Sequence, residues 1–372
     1  MTPVYLQRGL LRSALGSDLA AAARAYRGDQ RPTASWYELH ELQQQRPYLY
    51  AEGPALPLLE RLEPLLRYSL GEAHGALDDC LLIIATTTLD IGEIEPRMVA
   101  GEAFGEALVS PLDGLARHLR EHWGFAAAFT LNTACTSAAN ALLYAARLLN
   151  QDRFRRALVL SFETPSRVAM QGFAALDLVS PSARYRPFHP DRDGLILGEA
   201  YTSVLLDREP GAAPLARLLG GFSACDTSSL TTTLEDGSHI DWVMGQALAS
   251  AGVSPAQIEL VKLHGTATAA NDRAESNGMT LLFGDTPPPA VVLKPYLGHT
   301  LGACGLSESL LLLEALGQGP LPGVDYAEQA LLRLPAQAWT PPRDALLLAN
   351  FFGFGGNNAS LVLQACTAGV QP

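Results

Sequence analysis

Cys135 sits in the stretch NTACTSAAN, directly after a run that reads as a β-strand and where a helical pattern begins. Backbone N–H groups at a helix start are unpaired and the helix dipole favours an anion, so a thiolate there is stabilised. Ala134, Thr136, Ser137 and Ala138 are small and leave room for a substrate. A lone cysteine at this position is equally a small buried apolar residue. Two histidines change the weighing. His264 ends the run LVKLH, and His299 lies in LKPYLGHTLGACG, five residues after Lys294. Ligands of open α/β sheets gather at the C-terminal ends of strands, so Cys135, His264, His299 and Lys294 form one candidate catalytic set at equivalent strand ends. A glycine-rich stretch, NFFGFGGNNAS, follows a further strand. Its Gly353, Gly355 and Gly356 let the backbone turn tightly and present N–H groups to a developing oxyanion. It lacks the lysine–hydroxyl pair and the strand–helix placement of phosphate-binding loops.

The elements that must position these groups follow from periodicity. Residues 80–88 (CLLIIATTT), 127–132 and 157–162 read as buried strands, and residues 137–149 between the last two have helical spacing. That βαβ unit implies a parallel sheet. Further strands are expected at 201–206, 260–263, 290–293, 346–350 and 359–363, and helices at 240–251, 269–280 and 306–316. Glycine and proline clusters at 209–214 and 317–322 mark loops. A faint echo links 133–149 with 300–316, since both run from small residues into an Ala/Leu-rich helix. The expected architecture is two α/β halves packed on each other, with the division placed at 1–206 and 207–372.

Composition narrows the partners. The chain has 372 residues, 26 Lys and Arg against 38 Asp and Glu, and a net charge of −12, which argues against nucleic acid. Only 17% of residues are charged, so the chain is expected to bury much surface in its core or against a partner subunit. The apolar runs fall far short of the ~18 residues of a bilayer span. Five scattered cysteines without a CxxC pair make neither a disulfide framework nor a zinc site, and a reducing cytoplasm is the expected compartment. No metal or organic cofactor is indicated.

In chain order, TACTSA, RPFHPDRDGLILGEA, HGTATAANDRAE, KPYLGHTLGACG and GFGGNN resemble the β-ketoacyl-acyl-carrier-protein synthases, condensing enzymes of fatty-acid and polyketide assembly. The resemblance implies a thiolase-like α/β fold of two duplicated halves, layered α-β-α-β-α. It implies Cys135 as the nucleophile that takes an acyl chain from a carrier-protein phosphopantetheine, and His264 and His299 as the pair that drives malonyl decarboxylation. Lys294 matches the family lysine and Glu308 its carboxylate partner. Phe354 matches an aromatic gate, its N–H and that of Cys135 forming the oxyanion hole, with Gly353 and Gly355 shaping the turn. Asp272 and Glu275 are at the family spacing and are expected to order water and the lysine. Thr266 and Thr268 match residues that touch pantetheine. An acyl carrier protein and a homologous subunit, in a homodimer or heterodimer, are the implied partners, with Arg147, Arg153, Arg155 and Arg156 a candidate basic docking patch.

The chain also departs from the pattern. The segment before Cys135 is short, His189 replaces an Asp, Ala200 a Gly, Phe351 a small Ser and Asn357 a Thr. Two functions stay open: an active ketosynthase performing decarboxylative Claisen condensation, or a catalytically silent, chain-length-factor-like subunit paired with an active ketosynthase, as in aryl-polyene-like systems. A thiolase or cysteine hydrolase is disfavoured by the two histidines.

Overall fold

The computed structural model describes residues 1–39, 42–54, 56–71, 77–101, 113–229, 233–316 and 318–366. Residues 102–112, within the short segment before Cys135, and Gly317, which opens an expected loop, lie outside the described residues. In chain order the first part holds β1 (Val4–Ser13), α1 (Leu19–Arg27), β2 (Ser35–Leu39), β3 (Gln44–Leu49), α2 (Leu58–Leu70), β4 (Cys80–Ala85), α3 (Ile91–Val99) and α4 (Gly114–Trp123). Then come β5 (Ala127–Leu131), α5 (Ser137–Asn150), β6 (Arg156–Glu163), α6 (Arg167–Ala175), β7 (Leu197–Gly198) and β8 (Ala200–Asp207). The remainder holds β9 (Ala216–Cys225), α7 (Ser238–Ala251), β10 (Leu260–Lys262), α8 (Ala269–Phe283), β11 (Ala290–Val291), α9 (Lys294–Leu297), α10 (Cys304–Leu316), β12 (Leu346–Phe352) and β13 (Asn357–Ala365).

The large sheet has the order β11-β10-β12-β13-β9-β1-β8-β6-β4-β5. It divides at β9 and β1 into two five-stranded sets that repeat one another. In each, the second strand pairs in parallel with the third and fourth, and the fifth runs antiparallel to the fourth and the first. Among the described residues the two sets are joined in the sheet by a three-residue pairing of Val4–Leu6 with residues 216–218.

Between the sets lies a helical layer. Helix α5 touches β4 and β6 of one set and β9 and β13 of the other, while α10 touches β1, β8, β12 and α5. Both helices are rich in Ala and Leu and buried almost all round, as a helix with sheets on both sides must be. Gly305 permits their close approach, since a Cβ there would collide with the backbone of Ala139. Leu62 and Leu66 of α2 and Leu119 of α4 cover the outer face of the first set, and Ile240 and Met244 of α7 that of the second. The result is the five-layered thiolase fold.

The recognisable strands are those buried on both faces, such as β4, all six of whose residues are buried. It stops at Ala85 rather than at residue 88, because Thr87 and Thr88 turn their hydroxyls to Glu163. The strand expected at 290–293 shortens to Ala290–Val291, since α9 starts at Lys294. β1 and β9 carry no readable pattern: arginines and a glycine interrupt the first, and Gly220 and Gly221 the second.

Candidate active site

Cys135 precedes α5 at the C-terminal end of β5, after Ala134, whose φ of 51° marks a tight, strained turn. Its side chain is buried, and burial pushes the thiol up to about 11. Lys294 and the amides of Phe354 and Cys135 itself act the other way, yet they do not offset burial. Desolvation therefore outweighs the helix-start stabilisation expected from sequence, and the resting group is a thiol. His299 Nε2 stands 3.2 Å from its Sγ. Burial holds both His299 and His264 well below the usual histidine range, with the Lys294 charge adding to it, so both rings are neutral.

The second half builds the rest. His264 follows β10, and its ring meets that of His299 edge-on with centroids 5.4 Å apart. Lys294 at the start of α9 points back under His264, 2.7 Å from its carbonyl oxygen and 3.3 Å from Nδ1. Its third contact is Glu308 Oε1 of α10, at 2.7 Å. An ammonium is a donor only, so Nδ1 accepts and the Nε2–H of His264 is free to donate into the cleft. His299 is fixed through its backbone, its N–H donating to Ile196 at 2.7 Å and its carbonyl accepting from Gly198 at 3.1 Å.

Asp272 and Glu275 work on the turn after His264 rather than on Lys294. Glu275 accepts the amides of His264 and Gly265, and Asp272 those of Phe188, Thr266 and Ala267. Both are fully buried; burial pushes Glu275 up to about 7 and raises Asp272 above its ordinary range. Thr266 and Thr268 line the cleft with their hydroxyls 2.9 Å apart. Gly353 N–H donates to Asn357 at 2.7 Å, Gly355 takes a φ of 73°, and a Cβ at Gly356 would strike the backbone of Asp226. This turn presents Phe354 N–H to the Cys135 sulfur.

Cys135 opens on two cavities. One, of about 60 Å³, runs past His264, His299, Thr266 and Thr268; the other, of about 380 Å³, is walled by Ile91, Val168, Ala169 and Leu301. Phe354 and Phe173, with ring centroids 5.1 Å apart, border both. The candidate basic patch lies elsewhere. Arg156 opens β6, whose other end, Glu163, is the one beside the cleft, and Arg156 pairs with Asp79 at 2.6 Å.

Several groups escaped the sequence reading. Glu163 binds Thr87, Thr88 and the amide of Gly302, joining the two halves beside Cys135. Phe173 packs on the Phe354 ring. Lys262, two residues before His264, is a second fully buried lysine held by Glu308. A lysine inside an otherwise apolar strand was the available signal for it. Of the departures, His189 accepts the Asp191 amide and meets Gln329 at 2.8 Å, serving a turn. Phe351 covers Lys262.

The family model described as the β-ketoacyl synthase N-terminal domain matches residues 116–212, and that of the C-terminal domain matches 215–324, together more than half of the chain. The chain belongs to the β-ketoacyl synthase family. It is 28% identical over 337 residues to the 3-oxoacyl-(acyl-carrier-protein) synthase 2 of Mycobacterium tuberculosis, covering 82% of this chain and 79% of the relative. It is 33% identical over 216 residues to the chloroplastic 3-oxoacyl-(acyl-carrier-protein) synthase II of Arabidopsis thaliana, where the match spans only 39% of the relative. Among solved structures, this synthase-family chain superposes on a ketosynthase in complex with its chain length factor from Xenorhabdus doucetiae with a TM-score of 0.82. That match has 28% identity and covers 98% of both chains. A type II polyketide ketosynthase solved with its acyl-carrier protein shares the fold, at a TM-score of 0.84 and 21% identity.

Proposed function

We propose that the protein is an active ketosynthase: it takes an acyl chain onto Cys135 and extends it by decarboxylative Claisen condensation with a malonyl thioester on a carrier protein. One observation carries this reading. The Cys135 sulfur, two neutral histidines and two inward-facing amides meet in one cleft, with Sγ and His299 Nε2 3.2 Å apart. In the loading step the sulfur attacks the acyl thioester carbonyl while its proton passes to His299. The amides of Cys135 and Phe354 hold the oxyanion, and the pantetheine leaves as a thiol, taking the proton that His299 received. Once the sulfur is acylated it has no proton to offer, so neutral His299 takes the tautomer with Nε2–H, and the malonyl thioester places its carbonyl against the Nε2–H groups of His264 and His299. Loss of CO2 leaves an enolate that these donors stabilise, and its carbon attacks the acyl group on Cys135, expelling the sulfur. The hydroxyls of Thr266 and Thr268 beside the histidines offer polar contacts to a pantetheine arm, and the apolar cavity suits an acyl chain.

A carrier protein as donor and a homologous subunit as partner belong to the same reading, as does a cytoplasmic setting. Among the described residues β5 is an edge strand without a charged side chain, and such an edge calls for cover. No described helix is long and apolar enough to cross a membrane. Incubation with a carrier protein loaded with an acyl thioester is expected to add one acyl mass to the wild-type chain and none to Cys135→Ala. An unlabelled wild type beside a co-purified, acylated homologue would instead make this chain the silent partner of a ketosynthase pair.

A further inference from the structure

Beneath the histidine pair lies a buried cluster that the reaction above leaves partly unused. Lys262 and Lys294 are both fully buried and share one carboxylate, Glu308, whose two oxygens they take separately at 2.6 and 2.7 Å. The surroundings of each amine are acceptors only. Around Lys294 they are Glu308 Oε1, the His264 carbonyl and His264 Nδ1. Around Lys262 they are Glu308 Oε2, the Asn350 carbonyl at 2.7 Å, and the face of the Phe351 ring, whose centroid is 3.6 Å from Nζ. An ammonium has three donors and no acceptor, so each site is filled by the charged form, whereas a neutral amine would turn its lone pair on an acceptor.

We propose that Lys262 is a positioning residue of the cleft: sharing Glu308 with Lys294, it leaves this dry cluster one positive charge beyond what the touching carboxylate offsets, and that charge is the counter-ion for the anion that forms at Cys135. An uncompensated charge in a water-free interior is costly, and the cost falls when a nearby anion appears. Charge arranged before the reaction is what an enzyme needs for an anionic step. The same charge would serve the enolate of the condensation, a part of the inference that rests on the proposed function; the thiolate part does not.

Several other groups face this cluster. Lys262 looks toward Glu308 and Cys304 of α10, Lys294 of α9, and Glu275 of α8, which is itself held by two amides. Burial and the Lys294 charge press Lys262 toward lower pH, with Glu308 opposing. The buried phenol of Tyr185 lies near Glu308 and Cys304 and stays protonated. Cys135 faces Lys294, Glu163 and His299. Lys262 in turn acts on both histidines, helping to keep them neutral.

The test is the pH profile of Cys135 alkylation by iodoacetamide, resolved by peptide mass and measured from pH 8 to 10, above the Glu275 titration. No carrier protein is needed, so the result is independent of whether the chain condenses anything. Lys262→Met and Lys262→Gln are both expected to slow alkylation at pH 8 about tenfold, one pKa unit, and to move the profile upward. A folded Lys262→Met with the wild-type profile overturns the proposal. So does restoration of that profile by Lys262→Gln, which would reduce Lys262 to a hydrogen-bonding prop. Phe351→Leu removes only the ring face and covers the case in which neither lysine variant folds. It is expected to slow alkylation about two- to threefold in the same direction, and an unchanged rate there overturns the proposal as well.

Discussion

The two halves of the molecule share a strand order and polarity but carry different chemistry. In the first, the turn from β5 into α5 delivers a single sulfur with its own amide aimed at it, and the second amide, that of Phe354, reaches it from the other half. In the second, the end of β10 and the turn after α9 deliver two histidines, and buried lysines and a carboxylate lie beneath them. On the proposed function, the first half supplies a nucleophile in an apolar setting, and the second the charge and proton chemistry. Neither suffices alone, because burial leaves the sulfur protonated until a base from the other half stands next to it. The lesson concerns placement. A duplicated scaffold brings equivalent strand ends to one edge, so the halves can diverge in side chains and still converge in space.

That division of labour can be broken from the second half. Replacing His264 by Ala is expected to cut malonyl decarboxylation about 10²- to 10³-fold while acyl loading on Cys135 falls less than about tenfold. Equal loss of both steps, followed by radiolabelled CO2 release and intact mass, would show that the histidine only holds the fold. The charged base of that half should be its weakest point for stability. Glu308→Leu strands two buried ammonium groups and is expected to cost about 3–5 kcal/mol in urea unfolding; a near-neutral change would mean that water or another acceptor reaches them. The seam between the halves gives the smallest effect. Gly305→Ala sets a methyl against the Ala139 backbone, with an expected loss of about 1–3 kcal/mol. It should also slow Cys135 loading if the seam sets the distance from the sulfur to His299, and unchanged loading would free the site from that contact.

Part of this was readable from sequence. Strands with both faces buried, such as β4 and β6, stand out as uninterrupted apolar runs, and helices α5 and α7 start close to their expected positions. Cys135, His264, His299 and Lys294 could be picked out because each closes a strand or opens a turn. β1 and β9 were not readable, since Arg8, Gly9 and Arg12 in one and Gly220 and Gly221 in the other hide any period. Their extended form is imposed by neighbours on the sheet, and neighbour contacts leave no local signature. The same holds for Asp272 and Glu275, whose partners are backbone amides of one tight turn.

By itself the chain of residues determined the family, the alternation of elements and the candidate cysteine with its two histidines, because residue type and local period are properties of neighbouring positions. Only the tertiary structure decided the protonation states and the pairing of charges. Those depend on desolvation and on groups far apart in the chain: Lys262 meets Glu308 across 46 positions and Cys135 meets His299 across 164. Burial, which pushes the thiol up to about 11 and both imidazoles down, exists only once the layers have closed.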